Sequence, residues 1–266
     1  GPQQTLTYNQ LYLKVSHLAS SMRKMGVSKG DRVAGFLPNV PESVVAMLAT
    51  TSIGAVWSSC SPDFGIKGAI DRFEQISPKL LFASDEYYYN GKKIDCINKV
   101  KNLCEKINSI EKTIIISTDP DLKHFNNLKF DLWENFIDNK SLEIVFESLP
   151  FNHPLYIMYS SGTTGKPKSI VHSVGGTLIQ HLKELQLHTD IDRKDTVFYY
   201  TTCGWMMWNW LISSLGLGAT IVLYDGSPFF PRGEVLIDMI DELGITVFGT
   251  SAKYISALES ANISPK

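Results

Sequence analysis

From Thr196 to Tyr224 the chain carries no charged residue. A run of that length is long enough to cross a bilayer as one helix. Gly204, Asn209, Gly216 and Gly218 interrupt it, however, and a spanning helix tolerates such breaks only where neighbours satisfy the freed backbone groups. The alternative is a strand at Val197–Tyr200, a polar turn, a helix over Trp205–Leu215, a glycine-rich stop and a second strand at Thr220–Tyr224. Strands of a parallel sheet are buried on both faces and read as unbroken apolar runs. This segment therefore predicts a buried βαβ unit in an α/β protein.

The rest of the chain agrees with that class. Thr7 and Gln10 have capping-box spacing. Leu11, Val15, Leu18, Met22 and Met25 then recur on one helical face, with Gly26 as the stop. A strand over Val33–Leu37, a helix entered at Pro41 and running to Ser52, and a strand at Gly54–Trp57 make another βαβ unit. A short helix is expected over Asp71–Ile76, followed by a strand at Lys79–Ala83. A helical period spans Ile94–Ile107, and Ile114–Ile116 is a strand. Thr118–Pro154 is polar and rich in turn residues, and reads as a join between two α/β subdomains, 3–150 and 151–266. The second opens with a strand at Leu155–Tyr159, has a helix within Gly175–His188, and closes with a helix at Val235–Leu243, a strand at Thr246–Gly249 and a helix at Ala252–Ser260. Alternating strands and helices argue for parallel sheets.

Composition narrows the function. Apolar residues form 44% and charged residues 20% of 266, which excludes disorder and a disulfide-stapled miniprotein. A formal charge of −2 gives no pull toward nucleic acid or an anionic membrane. Cys60, Cys96, Cys104 and Cys203 form no C-x-x-C pair, so a zinc site is not expected and a reducing, cytoplasmic setting fits. Gly1-Pro2 reads as the remnant of protease tag removal.

The segment Tyr159-Ser160-Ser161-Gly162-Thr163-Thr164-Gly165-Lys166-Pro167-Lys168-Ser169 follows an apolar strand. Its glycines let the backbone approach an anion. Its hydroxyls add donors, its lysines add charge, and successive N–H groups in such a turn form an anion-binding concavity. It is not a Walker A loop, because Gly162 and Gly165 stand three apart and Pro167 follows Lys166. On composition alone, a Ser/Thr/Gly surface loop is an equal reading.

The whole string resembles the phosphate-binding loop of the adenylate-forming superfamily, which includes the acyl-CoA synthetases. Pro38-Asn39-Val40-Pro41-Glu42 and Gly54-Ala55-Val56 extend the resemblance, although Ser169 stands where the family usually has glycine. Thr201–Asn209 and Tyr224–Pro228 resemble the branch that activates short carboxylic acids, acetoacetate foremost, with acetate and propionate as alternatives. The resemblance implies the layered αβαβα fold of the family's large N-terminal domain. It implies an AMP-forming acid–CoA ligase with ATP, CoA and a short acid as substrates and Mg²⁺ as cofactor. Ser160, Ser161, Gly162, Thr163, Thr164, Gly165, Lys166 and Lys168 would meet the ATP phosphates. Trp205, Met206 and Met207 would line the acyl and pantetheine pocket, with a plain core stripe as the alternative. Tyr89 and Lys92 fall where relatives hold the CoA nucleotide, with a solvated hairpin tip as the alternative. His172 reads as structural. The family's later adenine, ribose and adenylation-lysine motifs do not occur before Lys266, so the chain reads as the first part of that domain without the C-terminal lid and without a catalytic residue of its own, inactive alone. A non-catalytic nucleotide- or CoA-binding module remains the alternative from another class.

Overall fold

A computed structural model describes residues 3–117, 129–160 and 165–263. In chain order it comprises α1 (Tyr8–Lys24), β1 (Arg32–Phe36), α2 (Pro41–Ser52), β2 (Val56–Cys60), α3 (Gly65–Phe73), β3 (Leu80–Ser84), β4 (Glu86–Tyr89), β5 (Lys92–Asp95), α4 (Ile97–Lys106), β6 (Lys112–Ile116), β7 (Phe130–Leu132) and α5 (Trp133–Phe136). There follow β8 (Pro154–Tyr159), β9 (Ser169–Ser173), α6 (Val174–Leu182), β10 (Thr196–Tyr199), α7 (Met206–Ser213), β11 (Thr220–Val222), α8 (Val235–Leu243), β12 (Val247–Gly249) and α9 (Ala252–Ser260).

The strands form a seven-stranded sheet ordered β7-β6-β3-β1-β2-β8-β9, a three-stranded sheet ordered β11-β10-β12, and the separate hairpin β4-β5. Every pairing in the two larger sheets is parallel except β8 with β9. The large sheet thus takes two strands from beyond residue 150.

Side-chain alternation along the strands assigns the layers. Val33, Trp57, Leu80, Phe82 and Ile114 point into one core with α1, α2, Trp208 and Ile212. Ala34, Phe36, Leu81, Ala83 and Ile115 point into the opposite core with α3 and α4. Gly35 lies on the first face, where an added Cβ would come within 2.6 Å of the Trp57 indole, so the bare backbone makes room for that ring. The small sheet is backed by Trp210 and Leu211 of α7 on one face and by α8 and α9 on the other. The sequence of layers is therefore α3/α4, large sheet, α1/α2/α7, small sheet, α8/α9.

This accounts for the uncharged run. Trp208, Asn209, Trp210, Leu211 and Ile212 are five consecutive buried residues, because beyond its first turn α7 lies between two sheets. Among the described residues no helix is long and apolar enough to cross a membrane.

Several boundaries differ from expectation. Helix α3 starts at Gly65 rather than Asp71, since Ile66, Ala69, Ile70 and Phe73 form its core-facing stripe. Ile94 belongs to β5 and not to a helix. The turn between β4 and β5 places Asn90 and Gly91 at φ +53° and +72°, the Asn-Gly pattern of a tight hairpin. Strands β7 and β9 have no counterpart among the expected elements.

Candidate functional site

The glycine- and hydroxyl-rich segment joins β8 to β9 at the C-terminal end of β8, where open α/β sheets present ligand crevices. Its neck is closed reciprocally. The Ser160 N–H donates to the Lys168 carbonyl at 3.0 Å, and the Lys168 N–H donates to Ser160 Oγ at 3.3 Å. Ser161, Gly162, Thr163 and Thr164 lie outside the described residues. Gly165 has φ +146° with no atom within 4 Å of an added Cβ, so its backbone, not crowding, demands glycine. Lys168 is exposed at the neck.

Lys166 turns toward α3. Its ammonium lies 3.3 Å from Glu74 and 3.8 Å from Asp71. The Lys67 ammonium, hydrogen-bonded to Asp71 at 2.6 Å, holds that carboxyl below the usual range, with lesser help from the Lys166 and Arg72 charges. Beneath the neck, the hydroxyl of the half-buried Tyr159 shares a hydrogen bond with Ser58 Oγ at 3.0 Å, and desolvation pushes the phenol pKa up.

A cleft of about 670 Å³ opens beyond the C-terminal ends of β2 and β10. Trp205, Met206 and Met207 line it, as do Tyr87 and Tyr89 of the β4-β5 hairpin, Asp63, and Tyr199–Thr202. The structure thus brings Tyr89 together with Trp205–Met207, whereas Lys92 is exposed on β5 and does not line the cleft. Trp205 and Met206 keep 54% and 43% of their surface open, so they are wall rather than core. Met207 is half-buried and packs against the small-sheet core. The Tyr200 hydroxyl donates to the Gly226 carbonyl at 3.1 Å. Tyr87 also has its pKa raised, by burial first and then by the negative Asp63.

Loop and cleft meet through α3. The Arg72 guanidinium lies 5.7 Å from the Tyr159 ring and 4.5 Å from the Phe64 ring, and Phe64 packs on Trp205 at 5.9 Å between centroids. A Cβ on Gly204 would come within 2.5 Å of Phe64, so that contact requires glycine.

Asn39 has a role that its local sequence does not announce. It is 4% exposed and ties the large sheet to the cleft. Its Nδ2 donates to the carbonyls of Thr201 (3.4 Å) and Tyr224 (3.3 Å), and its Oδ1 accepts from Trp208 Nε1 at 2.9 Å. Its own N–H donates to Asp225 at 3.2 Å, whose pKa is raised by burial. Its sequence signals are its place in the Pro38–Glu42 string that extends the resemblance and its position between two prolines in a turn. His172 packs on Tyr156 at 5.1 Å with its pKa lowered by burial, and among the described residues no carboxylate pairs with it.

The family described as AMP-binding enzyme matches residues 1–265. The chain is 50% identical over 270 residues to an acetoacetyl-CoA synthetase of Danio rerio, covering 98% of this chain and 40% of the relative. It is 49% identical over 263 residues to an acetoacetyl-coenzyme A synthetase of Rhizobium meliloti (strain 1021), with the same coverages. The solved acetoacetyl-CoA synthetase from Streptomyces lividans superposes with a TM-score of 0.92 at 45% identity, over 98% of this chain and 40% of that one. The chain therefore spans about 40% of the length of the relatives it matches.

Proposed function

The chain belongs to the AMP-binding enzyme family, and from that premise we propose that the complete protein is an acetoacetate–CoA ligase working through an acyl-adenylate. A carboxylate oxygen of the acid attacks the α-phosphorus of ATP, and pyrophosphate leaves. The CoA sulfur then attacks the acyl carbon, and AMP departs with the bonding electrons of the acyl–oxygen bond.

The observation that carries this reading is the adjacency of two features: a hydroxyl- and glycine-rich turn at the end of β8, and an apolar-walled cleft reached from it through Arg72 and Phe64. In the reading, the Ser160 hydroxyl and the N–H groups and hydroxyls from Ser161 to Gly165, with Lys168, hold the β and γ phosphates and spread the charge growing on pyrophosphate. Ser161, Gly162, Thr163 and Thr164 enter it on sequence alone. Trp205, Met206 and Met207 exclude water from the acyl end, and Tyr89 borders the CoA path, with Lys92 outside it. Mg²⁺ enters as the counter-ion of ATP. Among the described residues no three His, Cys, Asp or Glu side chains converge as a metal site, so no protein cage is assigned and no step runs through the ion. The four cysteines are free and buried, which supports a reducing compartment such as the cytoplasm.

The test is pyrophosphate release by the full-length protein with acetoacetate, acetate and propionate in turn. The reading expects the highest kcat/KM with acetoacetate. Equal turnover of propionate would remove the acid assignment. Saturable ATP binding without pyrophosphate release from any acid would leave only a binding module.

A further inference from the structure

The returning arm of the loop, Gly165–Ser169, is gripped by residues at the end of α3. Gln75 Nε2 donates to the Pro167 carbonyl at 2.8 Å and to the Asp71 carbonyl at 2.6 Å. Gln75 Oε1 accepts from the Ser169 hydroxyl at 2.9 Å. One residue earlier, Glu74 takes the Lys166 ammonium. One helical turn therefore contacts three of the four residues from Lys166 to Ser169. Pro167 has no N–H and a fixed φ, so its carbonyl is the one backbone hydrogen-bonding group that residue has to offer. Glu74 and Gln75 are both exposed, so neither is there to fill a core.

We infer that Gln75 is a positioning residue for the nucleotide. It presets the arm that carries Gly165 and Lys168, while Lys166 anchors that arm to α3 and does not itself meet phosphate. The inference rests on the reading of this loop as the phosphate site. An arm ordered before ATP arrives does not draw its ordering entropy from the binding energy of the nucleotide. On this inference the arm's ordering precedes ATP and is common to every bound state, so its release shows in KM for ATP and leaves kcat in place.

The experiment is steady-state kinetics of the full-length protein with ATP varied, for Gln75→Ala and for Gly165→Val. Losing two hydrogen bonds to the arm is expected to raise KM for ATP about tenfold, with kcat within about twofold and KM for the acid and CoA unchanged. Thermal unfolding of Gln75→Ala should match the parent, since the side chain is exposed. If Gly165→Val raises KM for ATP while Gln75→Ala leaves it unchanged or acts on kcat instead, the inference is overturned and the loop reading stands. If Gly165→Val has no effect on ATP, the loop reading fails and the inference goes with it, whatever Gln75→Ala does.

Discussion

Replacing Asn39 by alanine should loosen the joint between the two sheets. The side chain makes three hydrogen bonds in a 4%-exposed site, and the shortest, from Trp208 Nε1, is 2.9 Å. Trp208 is fully buried, so its N–H would be left with no partner, which costs about 1–3 kcal/mol. The carbonyls of Thr201 and Tyr224 are held at 3.4 and 3.3 Å, longer than ideal, and their loss adds about 1 kcal/mol together. A total of about 2–4 kcal/mol corresponds to a drop in Tm of about 5–15 °C for a protein of this size. Scanning calorimetry of the 266-residue chain measures it, and hydrogen exchange of the Trp208 indole N–H reports the bond itself. Asn39→Asp retains the acceptor for Trp208 and loses both donors, so the indole should stay protected in that variant alone. A Tm drop below about 3 °C, together with unchanged indole protection in Asn39→Ala, would refute the claim that this side chain joins the sheets.

Gly204→Ala should drive the Phe64 ring off Trp205, because the new Cβ would sit 2.5 Å from Phe64 Cε2; the full-length enzyme should show KM for the acid or CoA raised about tenfold or more, with ATP unaffected. Burial lowers the pKa of His181 from its ordinary 6.5, so the folded chain refuses a proton that the unfolded chain accepts. Its contribution to stability is present above about pH 6.5 and is lost as pH falls toward the lowered value; denaturant midpoints between pH 7 and 5 should fall in the parent and fall less in His181→Gln, where His172 keeps this dependence. All four cysteines are free and buried, and burial pushes the Cys60 thiol up to about 12 and Cys96 up to about 11. Since the thiolate is the reactive form, iodoacetamide at pH 8 should modify none of them in the native chain and all four after denaturation, by intact mass.

Features carried by neighbouring residues are legible in the amino-acid sequence. The Thr7–Gln10 capping box and Gly26 bound α1 as expected, and α8 and α9 span the residues their apolar periods mark. The breaks in the uncharged run separate β10, α7 and β11, because a buried strand and a buried helix each show their burial in composition. The glycine- and hydroxyl-rich string after β8 is legible in the sequence, although the carboxamide and carboxylates that hold its returning arm are not. Strand β9 reads Ser-Ile-Val-His-Ser with its first three residues exposed, a pattern with no clean alternation, and only its pairing with β8 makes it a strand. Gln75 meets Pro167 across 92 positions and Asn39 meets Tyr224 across 185. No local period encodes such contacts. They exist because five packed layers bring distant turns to one side of the sheets. That packing aims Lys166 at Glu74, sets Tyr89 beside Trp205 in one cleft, and makes Asn39, a turn residue by its neighbours, the joint between sheets.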